Sequence, residues 1–190
     1  RHFYRRYGYP VRQFRGHDRN VSIDKSNSRE LNLVLAMNAV NYVTTQIVTD
    51  SQPTLHFMDR GLFDRGVFTE ILYRNNEISK EEADTIKNLL FLRENIVHID
   101  GLFVFDIEPK TSLEREYSGT LFPLPGRVMN NNYLCQFRKT LLNSFQDQKD
   151  LFSHSMLIST VAETPRQTGL SIAREIWRIL GGDIDEFPFL

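Results

Sequence analysis

The segment Leu102–Ile107 reads LFVFDI and gives the strongest strand signal in the chain. It is apolar throughout apart from Asp106, which is the pattern of a parallel strand covered by helices on both faces. Glu108-Pro109 follows and ends the strand, because proline lacks the backbone N–H that a strand ladder needs. The segment therefore indicates a parallel sheet that lies between layers of helices.

Strand and helix patterns alternate along the rest of the chain. Three further strands are predicted, at Tyr9–Gly16, Thr54–Met58 and Met156–Val161. Helices are predicted at Arg29–Thr49, Phe63–Tyr73 and Asn132–Gln146, from capping boxes at Ser79 and at Thr111–Glu114, and after Thr164-Pro165. This alternation predicts an α/β fold, with a doubly wound parallel sheet in three α/β/α layers. We expect a single domain over residues 1–182 and a C-terminal tail over residues 183–190.

The bulk composition narrows the possible function classes. The chain has 190 residues, of which 41% are hydrophobic and 25% are charged, as is usual for a soluble globular protein. Its net charge of −1 argues against nucleic acid as the main partner, and no apolar run approaches the roughly 18 to 20 residues that span a bilayer. The single Cys135 excludes an intrachain disulfide, and the five histidines show no zinc-ligand spacing. We therefore expect an intracellular protein, of the cytoplasm or an organelle matrix, without a membrane partner.

Arginines and carboxylates follow three of the predicted strands. They are Arg15 and Asp18 after the first strand, Asp59-Arg60 after the second, and Glu108 with Arg115 after the third. Ligand sites of doubly wound sheets lie beyond the carboxyl ends of the strands. Arginine forks neutralise phosphate oxygens, and a carboxylate accepts a hydroxyl proton or holds Mg²⁺. The pattern predicts a phosphoryl-transfer site, although an isolated Asp-Arg pair also occurs in surface ion pairs and helix caps.

The segment His56–Phe68 resembles the strand-3 motif of deoxynucleoside kinases and thymidylate kinases. In those families Glu-Arg-Ser or Asp-Arg-Tyr ends the strand, and a helix start containing Asp-Arg follows. The spacing here is one residue shorter than in deoxynucleoside kinases, and Gly61 replaces Ser or Tyr. Asp100–Arg115 is similar to their next strand, proline turn and Leu-Glu-Arg helix, and Gly126–Phe137 to their lid and following helix. The resemblance covers Tyr9–Leu180.

The resemblance implies a P-loop kinase domain with Mg²⁺ as cofactor and ATP as phosphoryl donor. The acceptor would be a nucleoside, a nucleotide or a similar small hydroxyl-bearing molecule, and the enzyme could be a homodimer. Arg60 would contact phosphate, and Asp59 would lie near the reacting hydroxyl or Mg²⁺. Arg115 and Arg127 would close over the transferred group.

The end of the first predicted strand departs from the thymidylate kinase pattern. That family has an arginine before Glu-Pro or Asp-Pro, whereas this chain has Arg15-Gly16-His17-Asp18. Arg15 is placed to bind an anion, and Asp18 is the candidate general base.

The phosphate-binding loop is not among these residues. No Gly-x-x-x-x-Gly-Lys-Ser/Thr occurs in the chain, and Arg1–Gly8 has the pattern of a helix end with glycine at the stop position. In the kinases that the chain resembles, the loop follows the first strand, which is also the central one. We expect about 25 to 35 upstream residues with that strand, the loop and the helix start, or a partner that supplies the strand.

Two further functions stay open. A non-catalytic accessory or binding protein could keep the kinase architecture, and both Gly61 and the altered first strand end favour this. A P-loop NTPase that switches partners would need a Walker B acid, for which Asp106 is the candidate. A buried Asp106 with a satisfied carboxylate explains the same sequence equally well.

Overall fold

The computed structural model describes residues 9–16, 24, 26–118, 130–160, 164–183 and 187. The chain divides into two compact units, one ending at His98 and the other beginning at Ile99. Both contain helices and one pair of short parallel strands, which confirms the mixed α/β class. Within the described ranges, no helix is long and apolar enough to cross a membrane. The helix end predicted at Arg1–Gly8 lies outside the described residues.

The first unit is built on two parallel strands, β1 (Val11–Arg15) and β2 (Leu55–Asp59). Val11 lies opposite Leu55 at one end of the pair, and Arg15 lies opposite Asp59 at the other. The helices of this unit are α1 (Ser28–Tyr42), α2 (Leu62–Arg74), α3 (Lys80–Leu90) and α4 (Arg93–Ile96). Both strands lie within two residues of their predicted bounds.

The end of the predicted helix Arg29–Thr49 is not α-helical. α1 stops at Tyr42, and Val43–Ile47 continues as a π-helix in which the Val48 N–H donates to the Val43 carbonyl, five residues earlier. β-Branched side chains crowd a regular helix. Threonine hydroxyls of this stretch donate hydrogen bonds to backbone carbonyls of the preceding turn. The helix therefore lies where it was predicted, but its last turn is π-helical and not α-helical.

The core of the first unit lies along α1, α2 and α3. Ala36 and Ala39 are fully buried on α1, and these small side chains let it pack closely against α2. α2 in turn packs on α3. The predicted capping box starts α3: the Glu82 N–H donates to the Ser79 hydroxyl, and the Ser79 N–H donates to the Glu82 carboxylate.

The second unit contains β3 (Gly101–Asp106) and β4 (His154–Ser159), which are parallel, with Asp106 opposite Ser159. Its helices are α5 (Pro109–Ser118), α6 (Asn131–Gln148) and α7 (Pro165–Ile179), with a 3₁₀ turn at Lys149–Leu151. The helix start predicted at Thr164-Pro165 is confirmed, and the structure shows a capping box there between Thr164 and Gln167. The Thr111–Glu114 capping box is wrong, because the Ser112 N–H already donates to the Glu108 carbonyl. Proline is preorganised for the first helical position, so α5 starts at Pro109.

Part of the C-terminal tail packs on α7. The Trp177 indole N–H donates to the Asp183 carbonyl over 2.7 Å. Phe187 is buried, and the Arg174 guanidinium lies 5.7 Å from the centre of its ring. These two contacts attach the start of the tail and Phe187 to the helix that precedes them.

Candidate functional site

The carboxyl edge of the β1–β2 pair brings together three of the predicted site residues. Arg15 lies opposite Asp59 in the strand register, and Arg60 follows Asp59 directly. The Gly16 N–H donates to the Asp59 carbonyl over 2.8 Å, which extends the pairing by one residue. The side chains of all three predicted residues are exposed. We call Arg15, Gly16, Asp59 and Arg60 the first strand edge.

Arg60 has an unusual backbone conformation. Its φ angle is 58°, and Arg60 and Asn76 are the two non-glycine residues with positive φ among those described. The left-handed region costs an L-residue with a Cβ atom about 1 to 2 kcal/mol. Such strain persists where the surrounding structure fixes it, and it is concentrated at ligand sites and switch regions. The turn from β2 into α2 therefore holds Arg60 in a costly conformation directly beside Asp59.

Gly16 fixes this turn from the neighbouring strand. A Cβ atom at position 16 would overlap the Arg60 carbonyl oxygen and would lie 3.1 Å from the Asp59 carbonyl oxygen. Both neighbours are backbone atoms, which cannot rotate away as a side chain can. Glycine is therefore required at position 16 if the Arg60 turn is to keep its shape.

Asp64, in the first turn of α2, belongs to the same electrostatic cluster. Burial raises the pKa of its carboxyl group, the Asp59 carboxylate raises this pKa further, and the Arg65 and Arg60 guanidinium groups oppose the rise. A carboxyl group with a raised pKa beside arginines is suited to proton transfer. Asp64 lies in the kinase-like motif, five residues after Asp59. That position is the sequence feature that could have indicated Asp64 as a candidate site residue.

The donor set at the first strand edge fits a magnesium ion. Within the described ranges, no group of three or more His, Cys, Asp or Glu side chains forms a cage for a metal. Mg²⁺ needs no such cage, because one or two carboxylates with water and substrate phosphates complete its coordination. Asp59 supplies an exposed carboxylate of the required kind, beside an arginine that suits phosphate.

The carboxyl edge of the β3–β4 pair holds a second charged cluster. The Thr160 N–H donates to the Asp106 carbonyl over 2.9 Å, and the Arg115 guanidinium donates to the Thr160 carbonyl over 2.7 Å. Arg115 thus lies at this edge, as predicted, and contacts the backbone beyond β4.

Arg138 is the residue of this cluster that the sequence did not predict. Its guanidinium donates through Nε and an Nη atom to the two oxygens of Asp106, over 2.6 and 3.0 Å, and lies 2.8 Å from Glu108. The Arg138 hydrogen bonds lower the pKa of Asp106 although partial burial opposes this. The Asp106 carboxylate is therefore engaged on both oxygens, which favours a structural role for it over the Walker B role.

A cavity of about 330 Å³ lies beside the Arg138–Glu108 ion pair. One face of α6 forms most of its wall, at helical spacing, and the start of α5 forms the rest. The residues that line it are Glu108, Pro109, Cys135, Arg138, Lys139, Leu142 and Asn143.

Two predicted site residues, Asp18 and Arg127, lie outside the described residues, so their roles stay predictions. No protein-family model matches the chain, and no curated protein matches it significantly.

Proposed function

We propose that this protein transfers a phosphoryl group from ATP, with Mg²⁺, to a nucleoside, nucleotide or similar small hydroxyl-bearing acceptor. The observation that carries the proposal is the strained left-handed turn at Arg60, beside Asp59 at the carboxyl end of a parallel strand. A guanidinium and a carboxylate held together by a rigid turn are the groups that phosphoryl transfer uses.

In this proposal two residues of the first strand edge, Asp59 and Arg60, have defined tasks. The Arg60 guanidinium binds phosphate oxygens and neutralises the charge that spreads over them during transfer. The Asp59 carboxylate orients the acceptor hydroxyl or holds Mg²⁺, and Asp18 is the candidate general base that accepts the hydroxyl proton at a carboxylate oxygen. Bound Mg²⁺, with Asp59 as a ligand, would supply positive charge to the phosphate oxygens. The rate enhancement comes from positioning and charge neutralisation rather than from covalent chemistry on the protein.

We also propose a doubly wound parallel sheet of the P-loop type, in three α/β/α layers, as the fold class of this protein. Support comes from the connections, since helices separate β1 from β2 and β3 from β4, and both pairs are parallel. Parallel strands with helical crossovers are the units from which doubly wound sheets are built.

The first test is binding and turnover by the full-length protein. Calorimetry with Mg-ATP should show binding in about the micromolar to millimolar range that is usual for enzyme substrates. A panel of nucleosides and nucleoside monophosphates should then include an acceptor that accelerates ATP consumption. A folded protein that shows no Mg-ATP binding would overturn the proposal.

A non-catalytic binding protein is the second candidate. Gly61 is the N-cap residue of α2 and has no side chain that could cap the helix. The kinases that the chain resembles have Ser or Tyr at this position. The same experiment separates the two functions, because a binding protein would take up nucleotide or acceptor without consuming ATP.

A further inference from the structure

His56 hydrogen-bonds to one residue before and one residue after the π-helical segment Val43–Ile47. The Tyr42 hydroxyl, directly before the segment, lies 3.0 Å from His56 Nδ1. The Asp50 carboxylate, three residues after the segment, lies 3.1 Å from His56 Nε2. One imidazole on β2 therefore joins residues on either side of Val43–Ile47.

The hydrogen-bonded series Tyr42–His56–Asp50 is largely buried, and its polar and charged groups are paired. The side chains of His56 and Asp50 are each 8% exposed. The Arg12 guanidinium of β1 lies 3.5 Å from the Asp50 carboxylate, and it also donates to the Gln46 side chain over 3.4 Å. The Tyr42 ring packs edge-on against the imidazole. Both ring nitrogens thus have a partner, and the Asp50 charge has a cation beside it.

The local hydrogen bonds of the π-helical segment leave the position of Asp50 open. A π-turn contains one residue more than an α-helical turn, and such turns are rare and frequently lie at functional sites. Threonine hydroxyls occupy several carbonyls of the segment and the turn before it: Thr44 donates to Val40, Thr45 to Asn41 and Thr49 to Thr45. Those bonds are local, so they do not fix the position of Asp50.

A change of register would separate Asp50 from His56. If Val43–Ile47 became α-helical, each later residue would turn by about 100° around the helix axis, because one residue would be removed from the turn. Asp50 would then leave the imidazole, and Gln46 would leave Arg12. The Asp50–His56 bond therefore requires the π register, and the Tyr42 bond attaches the same imidazole to the residue before the segment.

We propose that His56 is a staple that holds Val43–Ile47 in its π register. The staple couples α1 to β2, whose carboxyl end carries Asp59 and Arg60, and through Arg12 to β1. This inference does not rest on the proposed activity.

Amide hydrogen exchange measured by NMR on the full chain tests the staple. Tyr42→Phe removes one of the two bonds, and His56→Phe removes both. The Val48 amide, which donates to the Val43 carbonyl over 3.0 Å, reports the π register. Its exchange should accelerate about five- to tenfold in Tyr42→Phe, as expected for one lost hydrogen bond, and further in His56→Phe. In a structure of His56→Phe, the Val48 N–H should donate to the Thr44 carbonyl instead.

The controls separate the staple from general destabilisation. His98→Phe changes an exposed histidine of the same unit and should leave the Val48 amide unchanged. Amides of α3 should keep their wild-type rates in Tyr42→Phe. Unchanged exchange at Val48, or equal acceleration in α3, would overturn the proposal. If His56→Phe does not fold, Tyr42→Phe alone decides, because it removes only a hydroxyl group.

Discussion

Gly16 lies directly against the backbone of Arg60, so closely that a Cβ atom on Gly16 would overlap the Arg60 carbonyl oxygen. This relationship joins the ends of two neighbouring strands through main-chain atoms. The Arg60 carbonyl therefore occupies the space that a side chain at position 16 would need.

Gly16→Ala should destabilise the protein by about 1 to 3 kcal/mol, because an added methyl group must displace backbone. Denaturant unfolding measures this difference in free energy. Gly169→Ala is the matched control, since a Cβ atom there meets nothing within 4 Å. In the interior of α7 that change should stabilise by about 0.5 to 1 kcal/mol. Equal effects of the two substitutions would contradict the close packing at Gly16.

Arg138→Gln should cost about 1 to 3 kcal/mol at neutral pH, because it removes charge-assisted hydrogen bonds from the partly buried Asp106. The pKa of Asp106 is lowered in the folded protein, so its ion pair stabilises the fold above the unfolded pKa and is lost as the pH falls through the folded value. The difference between wild type and variant should therefore shrink in acid.

Denaturant unfolding from neutral pH down to about pH 3 follows this change across the usual Asp range. Arg178→Gln is the control, because Arg178 and Glu175 form an exposed ion pair with each other on α7. Exposed pairs contribute about 0 to 1 kcal/mol. An Arg138→Gln penalty that stays constant with pH would mean that the ion pair with Asp106 is not its source.

Asn32 offers a third test, because its buried Oδ1 atom has no hydrogen-bond partner among the described residues. Its Nδ2 donates to the Thr69 hydroxyl over 2.8 Å, and that hydroxyl donates to the Arg65 carbonyl. Asn32→Leu should be nearly neutral or stabilising, since it removes the unsatisfied oxygen and leaves the Thr69 donor bond intact.

Thr69→Val should instead cost about 1 to 3 kcal/mol, because it leaves the Asn32 amide N–H without its acceptor. Thermal unfolding of the two variants gives the comparison. A large loss for Asn32→Leu together with no loss for Thr69→Val would contradict this hydrogen-bond arrangement.

The sequence predicted those features that depend on neighbouring residues. Strand bounds and the capping boxes at Ser79 and Thr164 follow from local patterns, and the structure contains them. The Thr111–Glu114 capping box failed because Pro109 competes as a helix start. Arg15, Asp59 and Arg60 were placed at one edge because parallel strands end on the same side of a sheet.

Contacts between distant residues could not be predicted in this way. Arg138 lies 32 positions from Asp106, and no local pattern indicates that α6 brings its guanidinium to the end of β3. His56, which contacts residues on both sides of the π-helical segment, lies 14 positions after Tyr42 and on a different element. The close approach of Gly16 to the Arg60 turn likewise joins residues at the ends of two different strands.

Transfer of labelled γ-phosphate from ATP to the best acceptor of the panel tests the proposed phosphoryl-transfer function most directly. It should compare the wild type with Arg60→Ala and with Arg74→Ala, whose arginine forms an exposed ion pair with Glu70 at the far end of α2. We expect a labelled product, a loss of about 100-fold or more in kcat for Arg60→Ala, and a change within about twofold for Arg74→Ala. No labelled product with any acceptor, or equal activity of the two variants, would contradict the proposed function.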